Sequence, residues 1–304
     1  MLNIIFMGTP EYAVPYLEAL IQSDMVPVAV ITQPDKPSGR KGDLGISPIK
    51  QCAIKHGIAV IQPDSVNTPS AVTTIHAMEP DLVVVVAFGQ IISQDIIDLP
   101  RYGCINVHPS LLPKYRGPSP RQAPILNGDA ETGITIMLVD HKMDHGPILA
   151  QEILPIDPRE TYDSLCKKTI AVGAPLLIKT IHSWIDDNIT PQKQDHALAT
   201  YTKLLKKESG RIDWSKTARE IDAMVRALNP WPGTWTEWHG KRVKIVAVLP
   251  TKFFAQKKGN DIFFANGKHL LVQCGNSQYL EITKIQMEGK NAVSGTAFIH
   301  GYLS

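Results

Sequence analysis

The chain lacks closely spaced cysteines. Its four, Cys52, Cys104, Cys166 and Cys274, are scattered and contain no CxxC pair. That excludes a short disulfide framework and a thiolate knuckle, and points to reduced thiols in a cytosolic protein. Long apolar runs are missing too: the longest, LVVVVAFG from Leu82, has eight residues and cannot cross a bilayer. The patch from Leu2 to Met7 is too short for a secretory core and has no basic residues before it, so a cytoplasmic location with no membrane association is expected. Low-complexity tracts and internal repeats are absent. Hydrophobic residues at 43% and charged residues at 20% describe a foldable chain with a sizeable core. Finally, the first strand–helix turn reads GTPEYA, without the glycine-rich GxGxxG pattern, so NAD or nucleotide binding is not expected there.

What is present divides at about residue 190. A length of 304 residues makes two domains the default. In the first 189, short apolar runs alternate with segments of helical periodicity. NIIFM and VPVAVIT read as strands, and Val14, Leu17, Leu20 and Ile21 recur at helical spacing. Ser47 before Pro48 pairs an N-cap with proline at the first helical position, which predicts a helix over 48–56. A second helix is predicted near 69–77. The β-branched run LVVVV has no polar alternation, as a strand buried on both faces requires. Further strands are predicted at 105–107, 133–139 and ILAQEILPI, with a helix over 161–184. The expectation is an open, Rossmann-like, mostly parallel sheet with helices on both faces.

Residues 190–205 are mixed polar and read as a linker. From 206 to 304 the pattern changes to one helix near 218–227 and short alternating segments, TWTEW, KRVKIVAV, DIFFA, HLLVQC, YLEITKIQM and TAFIHG. Such spacing predicts a small OB-like β-barrel. Charge follows the same division. The formal net of +2 conceals 17 Lys+Arg against 9 Asp+Glu after residue 189, and 14 against 20 before it. A basic last third suggests a polyanionic partner. Trp231, Trp235 and Trp238 lie among its basic residues and read as packing rather than base-stacking platforms.

The chemistry-bearing residues gather in CINVHPSLLPKYRG. If the strand is extended, Asn106 and His108 project to one face, an amide donor beside a group that can move protons near neutral pH. A capping Asn and a satisfied structural His fit the same residues. VDHKMDHGPIL adds Asp140, His141, Asp144 and His145. The i, i+4 histidines suggest a metal pair, but no Glu follows His141 and Gly146-Pro147 ends any helix, so no metal is expected. The loop PDKPSGRKGDLGI carries Lys36, Arg40 and Lys41 and is long for an unstructured connection.

NVHPSLLPKYRG resembles the N-x-H…SLLPxxRG signature of 10-formyltetrahydrofolate-dependent formyltransferases. FMGTPEYAVPYLEAL, PDKPSGR, SPIK, GDAETGITIM, MDHGPIL, GRIDWS and NPWPG resemble the branch of that family that acts on methionyl initiator tRNA. The resemblance runs nearly end to end and implies an activity: transfer of a formyl group from 10-formyltetrahydrofolate, a co-substrate, to the aminoacyl α-amine. It implies that Asn106 polarises the formyl oxygen, His108 takes part in proton transfer and Asp144 orients and charge-stabilises the imidazole. Ser110, Leu111, Leu112 and Pro113 match the segment lining the folate site. Arg40 and Lys41 match a basic loop that meets the acceptor stem. Lys206, Lys207, Arg211, Lys241, Arg242 and Lys244 of the basic barrel would grip tRNA phosphates, and a monomer is expected. Arg121 stands where the pattern has an apolar residue and reads as a surface change. Two other readings compete: a sibling enzyme formylating a small amine, and a nucleic-acid-binding module on a silent α/β domain. The charge of the last third weighs against the first, and the intact Asn106, His108 and Asp144 against the second.

Overall fold

The computed structural model describes residues 2–38, 43–251 and 261–303, with backbone only at 37, 38, 43, 44 and 276. Two compact units emerge. The first comprises Met1–Pro120, Glu131–Pro155 and Cys166–Thr202, and the second Arg121–Ala130, Ile156–Leu165 and Lys203–Ser304.

Unit 1 begins with β1 (Ile4–Gly8) and a short 3-10 turn that leads into α1 (Val14–Gln22). After β2 (Ala29–Ile31), a small antiparallel hairpin, β3 (Lys36–Ser38) with β4 (Asp43–Gly45), occupies the flanks of the stretch that reads as an unstructured loop. The N-cap expected from sequence forms: the Ser47 hydroxyl accepts from Lys50 N at the start of α2 (Pro48–Lys55). Next come β5 (Ala59–Ile61), α3 (Pro69–His76) capped by Thr68, β6 (Leu82–Val86), α4 (Gln94–Ile97) and β7 (Cys104–His108). The chain contributes α5 (Gln122–Asn127) to unit 2 and then forms β8 (Glu131–Leu138), β9 (Ile148–Pro155) and α6 (Tyr162–Ile185).

The sheet runs β5-β2-β1-β6-β7-β8-β9. Its first five strands are parallel, β8 runs against both its neighbours, and β9 again runs with the first five. Alternate residues serve opposite faces. Ile4, Phe6, Val84 and Val86 pack with α1, α2 and α6 residues such as Leu17, Ile49 and Leu177. Ile5, Met7, Val83 and Val85 pack with Ile75 of α3 and Ile96 of α4. Both faces are therefore dry, and each fully buried Ile or Val adds about 1.5–3 kcal/mol. Gly8 ends β1 because a side chain there would meet the Val86 carbonyl at 2.9 Å, so this glycine serves strand–strand packing.

Unit 2 is built on an antiparallel sheet. Its strands are β10 (Thr234–Trp238), β11 (Lys241–Thr251), β12 (Phe263–Asn266), β13 (His269–Gln273), β14 (Tyr279–Met287) and β15 (Val293–Ser294). They are ordered β10-β11-β14-β13-β12, with β15 on β14. The long β11 changes register between Ile245 and Val248, a bulge that lets it bend. Side chains join the outer strands: Trp238 packs on Phe263 at 5.9 Å, and its Nε1 donates to Asp261 at 2.8 Å. The sheet is thereby coiled around Val243, Ile245, Leu270 and Ile282. α7 (Ala218–Leu228), opened by a Thr217–Glu220 capping box, lays Ala218, Ile221 and Val225 on this core.

Two expectations fail. TAFIHG is helical: α8 (Gly295–Phe298), capped by Ser294 through Ala297 N, runs into a wide turn over Ile299–Leu303. Phe298, fully buried, is placed as well by a helix as by a strand, and the cap decides between them. Arg121, at the start of α5, is buried at 6% exposure and is not a surface change.

Candidate active site

β7 lies between β6 and β8, with Asn106 level with Val85 on one side and Met137 on the other. His108, two residues on, is the last residue of the strand and faces Thr135. Asn106 and His108 therefore share a face where the parallel strands end, the edge of an α/β sheet at which ligands bind. The two are treated differently by their surroundings. Asn106 is half-buried and its amide makes no hydrogen bond among the described residues. His108 is buried, hydrogen-bonded at Nε2 and faced by a carboxylate at Nδ1.

His108 Nε2 lies 3.0 Å from the Tyr115 carbonyl oxygen, which can only accept, so Nε2 carries a proton. Nδ1 faces Asp144 Oδ1 at 3.5 Å, beyond good hydrogen-bond length. The other carboxylate oxygen of Asp144 accepts from Gly117 N at 2.7 Å, which fixes its plane. The sequence-predicted trio is thus only partly assembled by direct bonding: His108 and Asp144 face each other, and Asn106 stands apart on the same strand.

Ser110–Pro113 follows directly. Ser110 is fully buried and its hydroxyl donates to Lys114 O at 2.6 Å. Thr135 of β8 organises the rest, donating to Ser110 O at 2.7 Å and accepting from Leu112 N at 3.1 Å and Gln151 Nε2 at 2.8 Å. Gln151 also donates to Leu112 O. Leu111 lies over Gly133, where an added Cβ would come within 2.4 Å of it. The segment is clamped to β8 and β9, its polar backbone largely committed. Leu112–Pro113 is a cis peptide.

Sequence reasoning missed several residues around this centre. Arg116, within the motif, is 1% exposed and reaches the 190–205 stretch: its Nη2 donates to Gln194 Oε1 at 2.6 Å and to His196 Nδ1 at 2.9 Å. Gln194 in turn donates from Nε2 to the carbonyls of Asp144 and Gly146, at 3.0 and 2.7 Å. His196 stacks on His145 at 3.9 Å, and His145 Nδ1 pairs with Asp140 at 2.5 Å. Desolvation first, then the neighbouring His145 and Arg116 charges, lower the His196 pKa and keep its Nδ1 an acceptor for Arg116. Thr135 and Gln151 left a faint signal, as polar residues in otherwise apolar strands. Gln194, in a polar stretch, left none.

In unit 2 the predicted basic residues largely converge on Trp235. Arg242 lies over its ring at 3.8 Å and Arg211 at 5.7 Å, Lys244 is its cross-strand partner, and its Nε1 donates to Lys207 O. Lys241 stands opposite Trp238, and Lys206 precedes Lys207 on the exposed chain. Glu237 and Glu208 temper this patch through Arg211 and Arg242, at 3.9 and 3.6 Å. Trp235 and Trp238 are buried, as packing residues, while Trp231 is 55% exposed. Arg40 and Lys41 lie outside the described residues.

Glu18, Cys52 and His56 on α1 and α2 offer donor atoms within 4.8 Å of one another, apart from the His108 cluster in residue content. Burial, helped by Glu18, raises the Cys52 thiol pKa, which works against thiolate ligation there. The four cysteines are free, and burial pushes Cys104 and Cys274 up to about 12. No helix among the described residues is long and apolar enough to cross a membrane.

Comparison with known proteins supplies a context for this geometry. A family model described as formyl transferase matches residues 2–181, and one described as formyl transferase, C-terminal domain, matches residues 204–303. A methionyl-tRNA formyltransferase of Roseiflexus sp. (strain RS-1) is 43% identical over 303 residues, covering 99% of this chain and 92% of that protein. One from Chloroflexus aurantiacus (strain ATCC 29366 / DSM 635 / J-10-fl) is 41% identical over 301 residues, covering 99% and 97%. Among solved structures, the N-formyltransferase from Helicobacter canadensis, in complex with folinic acid and dTDP-3-aminofucose, superposes with a TM-score of 0.67 at 22% identity, covering 94% of this chain and 100% of that one. HypX from Aquifex aeolicus, in complex with tetrahydrofolic acid, gives 0.69 at 15% identity, covering 99% and 47%. At those identities the structural likeness speaks to fold alone.

Proposed function

Because this chain belongs to the methionyl-tRNA formyltransferases of the folate-using formyl transferase family, we propose that it moves the formyl group of 10-formyltetrahydrofolate to the α-amine of methionyl initiator tRNA through Asn106, His108 and Asp144. The amine nitrogen attacks the formyl carbon, the carbonyl oxygen gains negative charge, and the tetrahedral adduct collapses as the folate nitrogen leaves with a proton. The Asn106 amide donates to the developing oxyanion. It is the observation that carries the assignment: a half-buried donor at a strand end with no hydrogen bond among the described residues.

His108 handles the amine's proton. With Nε2 turned to the Tyr115 carbonyl, the lone pair of the neutral ring is on Nδ1, the Asp144 side. A proton gained there forms an imidazolium between a carboxylate and a carbonyl, both acceptors. Ser110–Pro113, clamped as described, borders the folate. Arg40, Lys41, Lys206, Lys207, Arg211, Lys241, Arg242 and Lys244 meet tRNA phosphates. Residues 1–189 are the catalytic part, 190–205 the connection and 206–304 the tRNA-binding part, in a cytoplasmic monomer.

One assay tests this reading. Purified protein is given 10-formyltetrahydrofolate with methionyl initiator tRNA, unacylated tRNA, or small amines including amino-sugar nucleotides. Formylation confined to the methionyl-tRNA is expected, and turnover of a small amine instead would overturn the acceptor assignment.

A further inference from the structure

Two residues that hold His108 sit in backbone conformations that L side chains avoid. Tyr115, whose carbonyl meets Nε2, has φ 62°, and Asp144, whose carboxylate meets Nδ1, has φ 50°. A non-glycine residue in the left-handed region persists only where its surroundings over-determine it. Here one segment, residues 194–202, bonds to both, beside the Gly117 N–H that meets the Asp144 carboxylate.

That segment bonds to each strained residue and its neighbours. On the Tyr115 side, Thr200 Oγ1 accepts from Tyr115 N at 2.8 Å, Thr200 O accepts from Arg116 N at 2.9 Å, and Thr202 N donates to Arg116 O at 2.7 Å. On the Asp144 side, Gln194 Nε2 donates to the carbonyls of Asp144 and Gly146. Arg116 joins the two sides by giving both Nε and Nη2 to Gln194 Oε1, at 3.2 and 2.6 Å. Thr200 is exposed, whereas Gln194 and Arg116 are 6% and 1% exposed. A buried amide with its oxygen on a guanidinium and its nitrogen on two carbonyls has all its groups committed in one orientation.

We infer that residues 194–202 form a strap whose buried member, Gln194, locked by Arg116, is a positioning residue that sets the Asp144 carboxylate against His108. Gln194 bonds to the backbone of Asp144 and not to its carboxylate or to His108, so it acts through Asp144. The inference rests on the catalytic reading of His108 and Asp144 given above.

The test uses full-length enzyme and steady-state kinetics with both substrates. Gln194→Ala is expected to lower kcat about 10- to 100-fold, since displacing a catalytic group by an ångström costs on that order. KM for either substrate should stay within about threefold. Gln194→Glu separates positioning from folding: it keeps an acceptor for Arg116 but loses the donor to Asp144 and Gly146, so it should fold and still show the kcat loss. A Gln194→Glu enzyme with wild-type kcat would overturn the inference. So would a change confined to KM. In a double-mutant cycle, Gln194→Ala on an Asp144→Ala background should cost no more than about two- to threefold. The full cost in that background would overturn the strap alone. An Asp144→Ala enzyme at wild-type rate would overturn the catalytic reading together with it.

Discussion

Thr135→Val probes what holds Ser110–Pro113 in place. Thr135 Oγ1 donates its one proton to Ser110 O and accepts from Leu112 N and Gln151 Nε2, using all of its capacity in a fully buried position. Valine has the same shape and none of the bonds. Gln151 is exposed and turns to water, which leaves the Ser110 carbonyl and the Leu112 amide as buried orphans. Each orphan costs about 1–3 kcal/mol, and the added methyl returns about 0.8 kcal/mol. A net loss of about 1–5 kcal/mol is expected, set against a typical stability of about 5–15 kcal/mol. Urea unfolding measures it. The same variant should raise KM for 10-formyltetrahydrofolate while leaving KM for methionyl-tRNA unchanged, because Ser110–Pro113 loses its anchor. Thr135→Ser keeps the hydroxyl, loses only a methyl at about 1 kcal/mol, and should keep the folate KM. If Thr135→Val unfolds within about 0.5 kcal/mol of wild type and binds folate equally well, the hydroxyl does not hold the segment and the reasoning is wrong.

Asn106→Ala should unfold at the wild-type midpoint, since its amide bonds nothing among the described residues, yet lose about 10²- to 10³-fold in kcat; a loss of about tenfold or less would remove it from the oxyanion site. Binding of tRNA should weaken steeply with salt, and Lys207→Ala, Arg211→Ala and Lys244→Ala should each flatten the log K against log[salt] slope by about 0.7–0.9 for every phosphate no longer neutralised. An unchanged slope in all three would place tRNA elsewhere. Asp35 is held below its ordinary pKa of 3.8 by hydrogen bonds from Lys50 first and Gln62 second. A depressed carboxylate contributes stability above its unfolded pKa and loses it as pH falls through the folded value. The Tm gap between wild type and Asp35→Asn should therefore be full near neutrality and close as the pH falls below 3.8, and a gap that widens in acid would contradict the assignment.

Most of unit 1 is legible in the sequence because its signals are local. Ser47-Pro48 and Thr68-Pro69 announce helix starts through their own side chains, and LVVVV can only be a strand covered on both sides. TAFIHG misleads for the same reason: six residues whose two large apolar side chains, Phe298 and Ile299, are adjacent carry no period, and Ser294, just outside the window, makes the difference as a cap. The hairpin β3–β4 is invisible because Gly- and Pro-rich flanks look like a free loop.

The candidate site divides along the same line of sequence distance. Asn106 and His108 are two apart on one strand, so extended geometry alone places them together. Asp144 lies 27 residues from its Gly117 partner, and Gln194 lies 50 from Asp144 and 78 from Arg116. Nothing local announces a partner at those separations; only the fold brings them together. Resemblance points to Asp144 because its motif, MDHGPIL, carries chemistry. Gln194 carries none of its own, touches neither His108 nor the strand, and sits in a stretch whose polar composition reads as a connection. A residue that acts by holding a carbonyl is legible only after the carbonyl's owner has been found in a strained conformation. The left-handed backbones of Tyr115 and Asp144 are therefore what lead to the strap, and composition alone passes over it.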